Sequence, residues 1–345
     1  MIDLGLPLIT LSTENIAHNY RPVAFLIEWS ESTEQISNLL EKFGEFLKNN
    51  FNFQLKPKYV LSDNSDAIIS GCSKAFDHNY SHLLCHFHIE KGLREKTQKK
   101  ELKEFKPYIY LGIKALKNSG SLSFFQHVWK LIRPFWESKN VPAQFIKSFE
   151  KEYIQKNVEW HYGAAFPGKS RSNNSVEAAN NVIKIYFNRK AHNLKEFLGK
   201  MKDFIREWST LDKTSFPLQY DYKERTKTEA RKVLDKSLFL TIEATPDFIY
   251  CLRKRIPETQ IEKIKNDYIQ KNPLPQNMDE LYEGWGCLRI ININRQTCDC
   301  SNFFKYGYCK HIIALKVMSK ELDDPIIKPL KKPGRKPKMT KALQK

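Results

Sequence analysis

Tyr59-Val60-Leu61-Ser62-Asp63 decides how the first half of this chain is read. Aromatic, β-branched and apolar residues make a short strand, and the strand stops on a carboxylate. Two runs of strand length lie upstream, Leu6-Pro7-Leu8-Ile9-Thr10-Leu11 and Val23-Ala24-Phe25-Leu26-Ile27. Their closeness in sequence predicts an antiparallel pair. Residues 32–48 carry Ile36, Leu39, Leu40, Phe43 and Leu47 at helical spacing. Downstream of Asp63, residues 67–76 read as a helix and His82-Leu83-Leu84-Cys85 as one more strand. The order strand, strand, helix, strand, helix, strand predicts a mixed α/β fold.

Residues 89–159 have a helical pattern anchored by Phe124, Phe125, Trp129, Phe135 and Trp136. A loop from Pro167 to Asn174 leads to two further helices, over 175–187 and 194–208. Residues 213–284 are mixed and polar and read as a helical connector. Residues 285–320 form a compact unit, and 321–345 a basic tail. From Lys328 onward that tail has Lys and Arg but no acid, which predicts disorder in the free chain.

Lys and Arg outnumber Asp and Glu by 57 to 39, a net charge of +18. Such a field favours polyanionic partners, DNA among them. No apolar run reaches the roughly 18 residues of a membrane helix, so no membrane partner is expected. Seven cysteines in 345 residues are too sparse for a disulfide scaffold. Three of them lie together, in Cys298-x-Cys300-x8-Cys309-x-His311. Three thiolates and an imidazole in two closely spaced pairs predict a tetrahedral, structural zinc site. Few large apolar residues surround it, so zinc is expected to supply much of the local folding free energy.

The pattern Cys-x-Cys, loop, Cys-x-His resembles the SWIM-type zinc finger, which implies two strands and one helix around the metal. SWIM fingers bind DNA or protein partners. Further upstream, Leu6-Pro7-Leu8-Ile9, Pro22-Val23-Ala24-Phe25, Leu61-Ser62-Asp63, Cys85-His86-Phe87-His88, Trp160 and Ser172-Asn173-Asn174-Ser175-Val176-Glu177 stand in the order seen in Mutator-like element transposases. That resemblance covers residues 4–210. It implies a ribonuclease-H-like domain over 1–212 with a helical insertion at about 89–159. It also implies a Mg-dependent Asp, Asp, Glu triad, in which Asp63 matches the second Asp and Glu177 the Glu. Cys85 and His88 have ligand spacing, and we read them as support for that site rather than as a second zinc. In the family the first Asp stands on a strand before the Leu-Pro-Leu stretch, and only five residues precede Leu6 here. The expectation is therefore a ribonuclease-H-like core without its first strand. Mg would bind only if the catalytic core were complete.

Lys332-Pro333-Gly334-Arg335-Lys336-Pro337-Lys338 resembles an AT-hook interrupted at Lys336. Lys332, Arg335, Lys336 and Lys338 are thus candidate DNA contacts, or a nuclear localisation signal. Together these readings predict a transposase-derived, zinc-binding, DNA-binding nuclear protein, N-terminally incomplete and catalytically inactive. The alternatives are an active DNA transposase whose N-terminus is missing from this sequence, and an adaptor that binds proteins through its SWIM finger.

Overall fold

A computed structural model describes residues 6–14, 20–77, 79–211, 222–241, 243, 245–253, 257–266, 274–284 and 288–323. Strand β1 (Leu8–Glu14) pairs antiparallel with β2 (Tyr20–Ile27). The register shifts between Leu11 and Ser12, and Ser12 falls opposite Pro22. A proline has no N–H to give to the ladder, so a bulge there is the expected accommodation. Helix α1 (Thr33–Phe51) follows, with the Ser32 side chain accepting from the Gln35 amide at 3.3 Å. It ends where Asn52 turns left-handed at φ 51°. Strand β3 (Tyr59–Ser62), helix α2 (Asp66–Ala75) and strand β4 (Ser81–Leu84) complete the first unit, with β3 and β4 parallel.

The alternation along β1 sets the layers. Ile9 and Leu11 pack with Ile36 and Leu40 of α1, Cys72 of α2 and Val60 of β3. Leu8 packs on the opposite side, against α7 (Asn174–Tyr186) and α8 (Leu194–Leu211), and Thr10 donates to Asn180 Oδ1 at 3.0 Å. Successive side chains of a strand face opposite ways, so one strand serves two helical layers.

Between β4 and α7 lie α3 (His86–Lys96), α4 (Lys106–Lys117), α5 (Leu122–Ser138) and α6 (Ala143–Phe149), followed by a π-helical stretch Glu150–Lys156. Their shared core is aromatic. Phe125, Trp136, Phe149 and Trp160 are almost fully buried, and their rings meet mostly edge to face. At Gly112 of α4 a Cβ would come within 2.9 Å of Ile132 and Trp136, so glycine is what lets α4 and α5 approach. The helical stretch expected at 89–159 is present.

The reading of 213–284 as helical needs correction. Alongside α9 (Glu224–Asp235) and α10 (Glu258–Ile264), this stretch contains β5 (Phe239–Thr241) and β6 (Phe248–Leu252). They join β7 (Leu288–Asn292) and β8 (Thr297–Cys298) in one antiparallel sheet of order β5-β6-β7-β8. The finger is therefore not a lone ββα unit. Its helices α11 (Ser301–Tyr306) and α12 (Lys310–Met318) share a core with α9 and β6. Overall the chain is mixed α/β and mostly helical, with a small C-terminal sheet. No described helix is long and apolar enough to cross a membrane.

Candidate functional site

Cys298 ends β8, Cys300 caps α11, Cys309 caps α12 and His311 sits in the first turn of α12. Each position has a local cause. The Cys300 Sγ accepts from the Phe303 amide at 3.4 Å. Gly307, left-handed at φ 73°, ends α11 and turns the chain back toward Cys309. Asp299 fixes the first ligand pair to β7. Its Oδ1 accepts from the Ile290 amide at 3.0 Å, and its own amide donates to the Ile290 carbonyl at 3.1 Å.

All four candidate ligands are buried, and their ligand atoms lie within 4.8 Å of one another. His311 Nδ1 is 3.5 Å from Cys298 Sγ and 3.7 Å from Cys309 Sγ. Tetrahedral zinc, with Zn–S of about 2.3 Å and Zn–N of about 2.0–2.1 Å, puts such edges at about 3.6 Å. The donor set fits zinc, and Nδ1 is the nitrogen turned toward it. Hydrogen bonds from its sister thiols hold the Cys300 thiol well below the ordinary cysteine range. Cys298 is pushed up by its bonds to Cys300 and Cys309, and Cys309 is pushed up by burial. Three buried thiolates cannot coexist without a cation, and zinc supplies two positive charges. Four protein ligands close the site, so its role is structural.

Asp63, Glu177, Cys85 and His88 come to the edge where β3 and β4 end. The Cys85 amide donates to the Ser62 carbonyl at 2.9 Å, which sets Cys85 beside the residue before Asp63. Cys85, 1% exposed, donates from Sγ to Asn173 Oδ1 at 3.0 Å, just ahead of α7. One turn along α7, Glu177 Oε1 lies 3.0 Å from His88 Nε2. Asp63 Oδ1, Asn64 Oδ1 and His88 Nδ1 are buried without a hydrogen-bond partner. Among the described residues, the cysteine–histidine cluster is the group of three or more such ligands that comes together. Lys332, Arg335, Lys336 and Lys338 lie outside the described residues.

Two residues to which sequence reasoning gave no role organise this edge. Arg171, 4% exposed, donates from Nη2 to the carbonyls of Glu159 and His161 at 2.8 and 2.7 Å. Its own carbonyl accepts from the His86 amide at 2.8 Å, and burial lowers its guanidinium pKa to about 10. Asn173 is the second. Both stood inside a polar Ser-Arg-Ser-Asn-Asn loop, where nothing in composition marks a buried arginine.

The family model of the SWIM zinc finger matches residues 279–320. Its span contains all four ligands and begins ahead of the unit boundary read at 285. No curated protein and no solved structure matches the chain.

Proposed function

We propose that this chain is a transposase-derived DNA-binding protein of the nucleus, organised by its SWIM zinc finger. The observation that carries this is the closed, buried Cys298–Cys300–Cys309–His311 site in a chain of net charge +18. A closed site has no open position for catalysis, so zinc builds a shape, and the charge of the chain selects a polyanion to meet it. The basic run from Lys328 supports both nuclear import and phosphate binding. Descent from a Mutator-like transposase is supported by Asp63 and Glu177 lying at one edge, at the ends of the elements that the resemblance assigns them. Strand cleavage is outside this reading, because Asp63 and Glu177 supply only part of a two-metal cage.

The test is anisotropy with labelled duplex over a salt series. Zinc-loaded protein is expected to bind with a steep log–log slope. Deleting residues 328–345 is expected to weaken binding and to lower the slope's magnitude by about 0.9 for each phosphate that the tail neutralises. Absence of binding to both duplex and single-stranded DNA at low salt overturns the reading and favours the adaptor. The partnerless buried Asp63 Oδ1 favours a second reading, a metal-holding edge. Mg-dependent cleavage that disappears in Asp63→Asn would establish it.

A further inference from the structure

The finger is docked on the rest of the chain through α11, and the junction has a composition of its own. The Gly168 amide, at φ 86°, donates to the Phe304 carbonyl at 2.9 Å. The Phe304 ring stacks on Tyr162 at 6.2 Å and 19°. Beneath it is Gly120, where a Cβ would meet the ring at 3.1 Å. The residues flanking this seam alternate aromatic rings with ammonium groups. On one side Phe166 is 59% exposed, with Lys58 Nζ 4.5 Å from its ring centroid and Tyr59 edge-on to it. On the other, Lys305 and Lys223 each hold Nζ 4.9 Å from the centroid of Tyr306. Lys169 is exposed beside Gly168. Among the described residues none of these four lysines has a carboxylate at ion-pair distance, and the neighbouring Glu224 is taken by Lys227 at 2.9 Å.

We propose that this seam, Phe166 with Lys58 and Lys169 on one side and Tyr306 with Lys223 and Lys305 on the other, is a binding surface for single-stranded nucleic acid. The inference rests on the reading of the chain as a DNA-binding protein, and it names the form of nucleic acid taken. Phe166 lies two positions from Gly168, and Tyr306 two positions from Phe304. At about 3.5 Å per residue the two aromatic positions lie within roughly 20 Å, the reach of a few nucleotides. An exposed Phe166 ring and a half-buried Tyr306 ring, among lysines without a carboxylate at ion-pair distance, suit unpaired bases: the exposed ring stacks a base while the ammonium groups meet the backbone. A duplex keeps its base faces stacked inward and offers phosphate alone. An acidic peptide would use the lysines and leave the exposed Phe166 ring without a planar partner.

The experiment measures anisotropy of a labelled 15-residue oligothymidylate and of a duplex of equal length, with the zinc-loaded full chain. Phe166→Ala is expected to weaken single-strand binding about 5- to 150-fold, the range for losing one stacked base. Duplex binding should change less than about twofold. Phe166→Trp should restore the single-strand affinity, which a merely structural role would not predict. Lys58→Ala with Lys305→Ala should lower the single-strand salt slope by about 0.7 for each phosphate left without its lysine. An equal loss on both nucleic acids in Phe166→Ala, or no loss on either, overturns this surface while the DNA-binding reading stands. Binding to neither nucleic acid by the unaltered chain overturns both.

Discussion

The metal centre and the β3–β4 edge differ in how they are assembled. The four ligands of the first come from fourteen consecutive residues and are all buried around one point. The second gathers Asp63, Cys85, His88, Asn173 and Glu177 from β3, β4, α3 and α7, across a long run of helices. Its His88–Glu177 pair is 27% and 43% exposed, and two of its buried polar atoms, Asp63 Oδ1 and His88 Nδ1, have no hydrogen-bond partner. A closed cluster of soft ligands carries its chemistry in its spacing. An open edge carries it in the fold, and each member alone is an ordinary polar residue.

The strongest test of this contrast is Cys309→Ser. Zinc binding supplies on the order of 10 kcal/mol in small zinc domains. The variant should therefore lose its one equivalent of zinc and the protection from hydrogen exchange over β7, β8, α11 and α12. Retention of full zinc would remove the contrast at its root. Trp160→Ala comes next. Its ring is 1% exposed and its Nε1 donates to the Tyr153 carbonyl at 2.8 Å. Denaturant unfolding should show a loss of about 3–5 kcal/mol, with zinc stoichiometry unchanged. If zinc falls with it, the two regions are one cooperative unit.

Acid should separate them further. Burial lowers the His82 pKa to about 4, and the ring accepts the Ser62 hydroxyl at 2.8 Å or donates to it. The unfolded chain binds this proton at about 6.5, so the unfolded state carries more protons between those values. Stability from this group is complete above about pH 6.5 and falls through the window to about 4, by up to tenfold in the unfolding constant per pH unit. His82→Gln should flatten that fall in urea titrations at pH 7, 6 and 5, leaving the acid release of zinc as it was. The smallest effect belongs to Glu177→Gln, which breaks a half-exposed pair with His88. A change in stability of about 0–1 kcal/mol is expected, read as a shift in the urea midpoint. A loss of several kcal/mol would make the edge a structural brace.

The strands and helices of the first unit, and the antiparallel pairing of β1 with β2, were legible because these elements obey simple periodicity, whereas the parallel pairing of β3 with β4 was not read. The ligand set was legible because cysteine and histidine are rare and closely spaced. Strands β5 and β6 were not. Phe239-Leu240-Thr241 is short, and Phe248-Ile249-Tyr250-Cys251-Leu252 is flanked by charged segments of helical composition. What makes β6 a strand is pairing with β7, about forty residues on, such as Cys251 opposite Arg289, and β5 in turn pairs with β6. Periodicity cannot report a partner that far away. Arg171 escaped for the same reason, since its acceptors are carbonyls of a turn ten to twelve residues earlier. The docking of Phe304 on Tyr162 joins segments farther apart still.

The β6–β7 ladder also governs how this molecule can be cut. A fragment trimmed to the zinc ligands and their two strands would expose the row of β7 amides and carbonyls that β6 occupies, from Leu288 opposite Leu252 to Asn292 opposite Phe248. An open strand edge of that kind recruits other chains. It would also strip α12 of its packing against α9, leaving Ile312, Ile313 and Leu315 short of neighbours. The transplantable module therefore begins near Tyr222, and a shorter excision should precipitate even with zinc in full supply.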